Sequence, residues 1–194
     1  GKLIVATHEG EEKALRILLK RALENGLEGV KFLSEQETNL IEPAIKVHSS
    51  LWVPQTGVID FKILADKLCE VLISRGVHIL YNNQVNDISR NREKLIIHTE
   101  HKKLEVDFAV NCAGLYSDVI AKMAGTKIEH KIIPFRGEYF KLAESAARKI
   151  NGLIYPVPQL GLPFLGVHFT RSIHGEVEAG PNAILSLKRE GYKK

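Results

Sequence analysis

Cysteine is scarce in the 194 residues: Cys69 and Cys112 are the two present, far apart and each in apolar surroundings. Neither has a second thiol nearby, which excludes a metal knuckle or a redox pair and leaves two thiols expected to be buried in a reducing compartment. Long hydrophobic runs are missing as well. No stretch approaches the roughly 18 to 20 apolar residues that span a bilayer, and Gly1 to Ala6 lacks the apolar core of a signal peptide. The chain therefore reads as soluble and cytoplasmic. No charge of one sign dominates: 27 Lys and Arg face 23 Asp and Glu, net +4, with signs alternating along most of the chain. That is a solvated surface and not a nucleic-acid footprint. Lys188, Arg189, Lys193 and Lys194 are locally basic, which at a terminus reads as a loose tail, with a membrane surface or a partner chain as the alternative.

Catalytic and metal signatures are also short. His98 and His101 are close, and His168, His174, Glu176 and Glu178 fall in one segment, but neither group has helix-borne HExxH spacing or a cysteine partner. No metal site is expected. There is no GxSxG elbow, and Cys112 lies inside an apolar run where a thiol is usually inert. With 44% hydrophobic and 26% charged residues the composition is that of an ordinary globular protein, with no low-complexity segment. The chain opens on Gly1 and the apolar run Leu3 to Ala6 without an initiator methionine, as a piece of something longer would.

The periodicities predict a mixed fold. Glu9, Glu11 and Glu12 precede the stripe Leu15, Leu18, Leu19 and Ala22, and Gly26 lies beyond: a helix with acids at its start and a glycine past its end. A strand at Val30 to Leu33 follows, then a capping-box start at Ser34 and Glu37, a stop at Pro43 and a strand near Lys46 to Val53. Asp60 is the expected N-cap of a helix with apolar face Phe61, Leu64, Leu68 and Leu72, ended by Gly76. A strand at Val77 to Tyr81 precedes an antiparallel meander, Val85 to Ile88, Leu95 to Thr99 and Leu104 to Val106. Phe108 to Gly114 reads as a strand buried in a larger sheet, ending in glycine before a helix at Ser117 to Ala124. From Ile132 onward strands recur at Ile132 to Leu142, Leu153 to Val157, Phe164 to Thr170 and Glu176 to Ala179.

Helix, strand, meander, buried strand, glycine and helix together resemble the middle of a glutathione-reductase-type FAD-binding fold. In that resemblance VNCAG (Val110 to Gly114), with Ala113 and Gly114, lies near the FAD pyrophosphate and Val85 on the adenine side. The segments IPFRGEYFKL (Ile133 to Leu142), LIYPVP (Leu153 to Pro158), PFLGVHFTR (Pro163 to Arg171) and GPNAILSLKREGY (Gly180 to Tyr192) narrow it. With VPQTGVIDF (Val53 to Phe61) upstream, they resemble the L-2-hydroxyglutarate oxidase and dehydrogenase family, in the D-amino-acid-oxidase-like group. The implied class is α+β with α/β: residues 54–127 as part of an FAD-binding domain, interleaved with a mostly antiparallel substrate domain from 1–53 and 128–194. A glycine-rich Gly-x-Gly-x-x-Gly turn, needed for the pyrophosphate, is absent from the sequence, so the resemblance covers a central portion and the chain's own FAD binding stays an open expectation.

What the resemblance implies is oxidation of L-2-hydroxyglutarate to 2-oxoglutarate, the C2 hydride passing to the flavin and electrons onward to oxygen or a quinone-linked acceptor. A dicarboxylate substrate needs cationic anchors, and Arg136 and Arg171 are the candidates. His168 is the candidate base or hydroxyl partner, with Thr170 and Tyr155 as orienting groups. Gly57 and the Gly180-Pro181-Asn182 turn join Val85, Ala113 and Gly114 as cofactor contacts. Each residue has a plainer reading beside this one. Arg136 could pair with Glu138 or Glu144, His168 could be a satisfied core histidine, Arg171 a rim charge and Gly180 to Asn182 a simple turn. An FAD oxidase of another small substrate, such as an amino acid or glycerol phosphate, and a non-catalytic substrate-domain fragment are the rival functions. An electron-acceptor or peripheral inner-membrane contact and an oligomer are the remaining partner expectations.

Overall fold

The computed structural model describes residues 1–158 and 164–192, so Pro163 of the PFLGVHFTR motif and Lys193 and Lys194 of the basic terminus lie outside the described residues. In chain order the elements begin with β1 (Lys2–Ala6), α1 (Glu12–Glu24), β2 (Lys31–Ser34), α2 (Glu35–Ile41), β3 (Ser49–Val53) and α3 (Phe61–Ser74). There follow β4 (Val85–Asn91), β5 (Lys94–Thr99), β6 (Lys103–Val106), α4 (Ser117–Met123) and β7 (Phe135–Lys141). The chain closes with α5 (Glu144–Ala147), β8 (Leu153–Pro156), β9 (His168–Arg171) and β10 (Val177–Leu185). The chain divides into two units, Gly1–Ala65 with Arg136–Ile184 and Asp66–Phe135 with Leu185–Lys194.

Unit one is built on a seven-stranded sheet in the order β2-β3-β1-β8-β9-β10-β7. β1 runs antiparallel to β3 and parallel to β8, while β8 with β9 and β9 with β10 are antiparallel. Because side chains alternate across a strand, β1 feeds two cores at once. Leu3 and Val5 point to one face, where they join Leu33, Ile154, Val177, Ala147 and Ile150. Ile4 and Ala6 point to the other, where α1 presents Leu15, Leu18, Leu19 and Ala22 and packs on β1, β2 and β3. Leu15 is wholly enclosed, and full burial of a leucine side chain contributes about 1.5–3 kcal/mol.

The local signals were well matched to the backbone here. Ser34 accepts the Glu37 amide while the Glu37 carboxylate takes the Ser34 amide, a reciprocal capping box at the start of α2. Asp60 Oδ1 accepts the amides of Lys62 and Ile63 at 2.8 and 3.2 Å, capping α3 as its sequence predicts.

Unit two holds the three-stranded sheet β4-β5-β6, antiparallel throughout, with a bulge between Val85 and Asp87 and α4 packed against β4. Three expectations fail in this half of the chain. Phe108 to Gly114 forms no strand, and Phe108 and Val110 are 88% and 87% exposed. Val77 to Tyr81 is likewise not a strand, and α3 buries none of its residues. Apolar periodicity states which face a segment would cover, and nothing among the described residues covers these. Cys112 is consequently exposed and Cys69 only half-buried, against the buried thiols predicted.

The basic terminus is not loose at Arg189. Its guanidinium grips Asp118 with two bonds, at 2.7 and 3.0 Å, donates to the Leu115 carbonyl and lies over the Tyr116 ring. Among the described residues no helix is long and apolar enough to cross a membrane.

Candidate active site

Strand order makes neighbours of residues far apart in sequence. The register pairs Ile154 with Phe169, which sets Tyr155 opposite His168, and pairs His168 with Gly180. Tyr155, His168 and Gly180 thus form one row across β8, β9 and β10, on the face that α1 covers farther along the sheet. The Tyr155 and His168 rings stack with centroids 4.0 Å apart and planes 17° from parallel. His168 is 7% exposed, and its Nδ1 lies 2.9 Å from the Gly166 carbonyl. A carbonyl only accepts, so Nδ1 carries the proton and, in the neutral ring, Nε2 keeps a lone pair. Thr170, two residues along β9, shares the face and stands opposite Glu178.

β7 closes the row on its far side. A side chain on Gly180 would meet the Tyr139 ring at 2.6 Å and the Glu138 carbonyl at 2.9 Å, and one on Gly137 would meet Pro181 at 2.9 Å. Only glycine fits at either position, and the Gly180–Pro181 bond itself is cis. Asn182 continues β10 two residues beyond Gly180.

The two arginines are placed elsewhere. Alternation from Phe169 carries Arg171 to the opposite face, where its Nε and Nη2 donate to the Ile150 carbonyl, Nη2 to Ala147 at 2.7 Å and Nη1 to Gly175 at 3.0 Å. The Ala147 and Ile150 carbonyls lie at the end of α5 and just beyond it, so the guanidinium caps a helix end, while Gly175 belongs to the turn before β10. On β7 the Tyr139 ring lies on the side of Gly137 and Gly180, so Arg136 and Glu138 project from the other side, where Arg136 Nη2 donates to Glu138 Oε1 at 2.5 Å. That is the pairing the plainer sequence reading allowed.

The expected cofactor contacts fall in three places. Val85 and Ala113 both line a cavity of about 530 Å³ in unit two, with Asn111, Tyr116, Met123 and Glu190 in its wall. Asn111 braces this turn: its side chain accepts the Ala113 amide and donates to the Ser117 carbonyl. Gly114, next in the chain, has φ +51° and open space where a side chain would stand. Gly57 lines a smaller hollow of about 240 Å³ in unit one, with Gly1, Asn151 and Ser172. Gly180 and Pro181 belong to the row already described.

Sequence reading missed Glu42. It is buried, and its carboxyl oxygens accept the amides of Asn151 at 2.9 Å and Gly152 at 2.5 Å, fastening the end of α2 to the turn before β8. A lone glutamate before Pro43 carries no signal of a contact 109 residues away. Among the described residues no group of three His, Cys, Asp or Glu side chains could hold a metal ion.

The chain matches known proteins over its whole length. An L-2-hydroxyglutarate dehydrogenase of Indibacter alkaliphilus is 43% identical across all of this chain and 49% of its own length, and one of Escherichia coli is 39% identical across all of this chain and 46% of its own. The chain thus spans about half the length of these curated relatives. Among solved structures, a dithionite-reduced L-alpha-glycerophosphate oxidase of Mycoplasma pneumoniae with FAD bound superposes on all of this chain and 52% of its own, at a TM-score of 0.84 and 25% identity. The model of the DAO family of FAD dependent oxidoreductases matches residues 1–191, and the chain belongs to that family.

Proposed function

We propose that the protein carrying this chain oxidises the C2 hydroxyl of L-2-hydroxyglutarate to give 2-oxoglutarate, with FAD as cofactor. The observation that carries the reading is the row Tyr155–His168–Gly180, built from three of the motifs that resemble that family, which presents a buried imidazole nitrogen acceptor beside a stacked aromatic ring. The relatives that bear the name L-2-hydroxyglutarate dehydrogenase support it over the full chain.

The residues present fit a flavin nucleotide in part. The unit-two cavity lies within the roughly 300–1,000 Å³ of ligand pockets and combines apolar walls with the side-chain amide of Asn111. Val85, Ala113 and Asn111 would hold the cofactor there, and the unobstructed backbone at Gly114 would let it approach closely. Bound FAD supplies the two-electron acceptor for the hydrogen at C2. The chain's own residues do the rest. With Nδ1 engaged by Gly166, His168 Nε2 accepts the proton of the substrate hydroxyl. Stacking on Tyr155 fixes the plane in which Nε2 points, and Thr170 offers a neighbouring hydroxyl on the same face.

The test uses the full-length protein loaded with FAD and follows flavin absorbance under exclusion of oxygen. Bleaching by L-2-hydroxyglutarate, and not by its D-enantiomer, is the expected result. Bleaching by glycerol 3-phosphate or an amino acid instead would replace this reading with the other oxidase of the group, and no bleaching by any of them would leave the fragment reading.

A further inference from the structure

Both arginines expected to anchor substrate carboxylates are turned from the His168 face and already engaged, Arg171 by main-chain carbonyls and Arg136 by Glu138. A dianionic substrate on that face still requires a cation. Lys2, the first residue of β1, reaches it: its Nζ lies 5.1 Å from the centroid of the Tyr155 ring, whose stacking partner at 4.0 Å is His168. β1 and β9 flank β8 on opposite sides, so the ammonium and the imidazole approach Tyr155 from its two neighbouring strands. Lys2 is half-buried, and among the described residues it has no ion-pair partner.

From this geometry, and resting on the proposed diacid oxidation, we infer that Lys2 is the anchor for the carboxylate distal to the reacting carbon. The separation decides which carboxylate. The ammonium lies 5.1 Å and the imidazole 4.0 Å from the Tyr155 ring centroid, on the sides of two different strands, so a ligand that engages both has to cross a gap along the edge of that ring. The carboxyl attached to C2 is too near the hydroxyl to span that gap, whereas the far end of a five-carbon chain reaches across it. Lys2 accordingly selects 2-hydroxy acids with a second carboxylate over those with an alkyl end, and the Tyr155 ring holds the ammonium in place through its π face. A point charge suffices here, so arginine is expected to substitute where an uncharged isostere is not.

The experiment compares Lys2→Met and Lys2→Arg with the unaltered full-length, FAD-loaded protein on two substrates, L-2-hydroxyglutarate and L-2-hydroxybutyrate, and measures 2-oxoglutarate binding by calorimetry. Expected for Lys2→Met is a tenfold or greater rise in KM for the diacid, a smaller fall in kcat, and a matching loss of 2-oxoglutarate affinity. KM for the monoacid should stay within twofold, and Lys2→Arg should recover most of the diacid affinity. Equal weakening toward both acids, or an unchanged KM for the diacid, overturns the assignment of Lys2 while leaving the oxidation itself intact. Absence of diacid turnover in the unaltered protein overturns both.

Discussion

Glu42 sits 1% exposed between α2 and β8, and its oxygens are the partners of two main-chain amides from a distant part of the chain. A buried amide that loses its acceptor incurs its full desolvation cost, so replacing this side chain is more damaging than trimming an apolar one of similar size. Glu42→Ala should lower stability by about 3 kcal/mol, read from denaturant unfolding, and Glu42→Gln by less, since one amide oxygen can still accept. Equal losses in the two variants would show that volume, not hydrogen bonding, sets the effect. His168 and Tyr155 were legible as candidates from their motifs, whereas Glu42 was not, because a hydrogen bond across 109 residues leaves no trace in local spacing.

At the scale of elements, Arg171 ties β9 to the end of α5. Its several donors meet the Ala147 and Ile150 carbonyls at that end and the Gly175 carbonyl in the turn before β10. Lysine has one ammonium and cannot reproduce the fork. Arg171→Lys should therefore lower the melting temperature by several degrees, in line with a loss of about 1–2 kcal/mol, while the ratio of KM values for a diacid and a monoacid stays as in the parent. A selective rise for the diacid with unchanged melting would return Arg171 to the substrate site.

A second device at this scale is the pair Asp118 and Arg189 in unit two. The guanidinium bonds, more than any other influence, hold the Asp118 carboxyl below the usual aspartate range, partly opposed by desolvation. A carboxyl with a depressed folded-state value contributes stability above its unfolded value, and that contribution is lost as pH falls through the folded value. The protection of amides near Arg189, measured relative to their intrinsic exchange rates, should thus fall on acidification below about pH 4, the ordinary aspartate value. Asp118→Asn should show the lower protection already at neutral pH, and a pH-independent pattern in the unaltered chain would contradict the pairing.

For the molecule as a whole, exposed apolar side chains recur in the described residues, Phe108 and Val110 at 88% and 87% among them. Exposed patches of this kind bind hydrophobic dyes and promote association. The isolated chain should enhance the fluorescence of an anilinonaphthalene dye, and the double variant Phe108→Ser, Val110→Thr should reduce that signal without altering far-ultraviolet circular dichroism. No change in dye binding would mean that these two side chains are covered in solution.

By itself the sequence determined the elements whose signals are local: the capping box at Ser34 and Glu37, the Asp60 cap and the meander from Val85 to Val106 all arise from side chains within a few residues of the backbone they satisfy. It also carried the family through its ordered motifs. Tertiary structure alone decided which of those motifs face one another. Strand order brings residue 2 beside residue 155 and residue 168 beside residue 180, and the two-residue period of a strand then sends His168 and Arg171 to opposite faces. Neighbourhood across a sheet is set by hydrogen bonding between distant segments, so local pattern names the candidates and the fold selects among them.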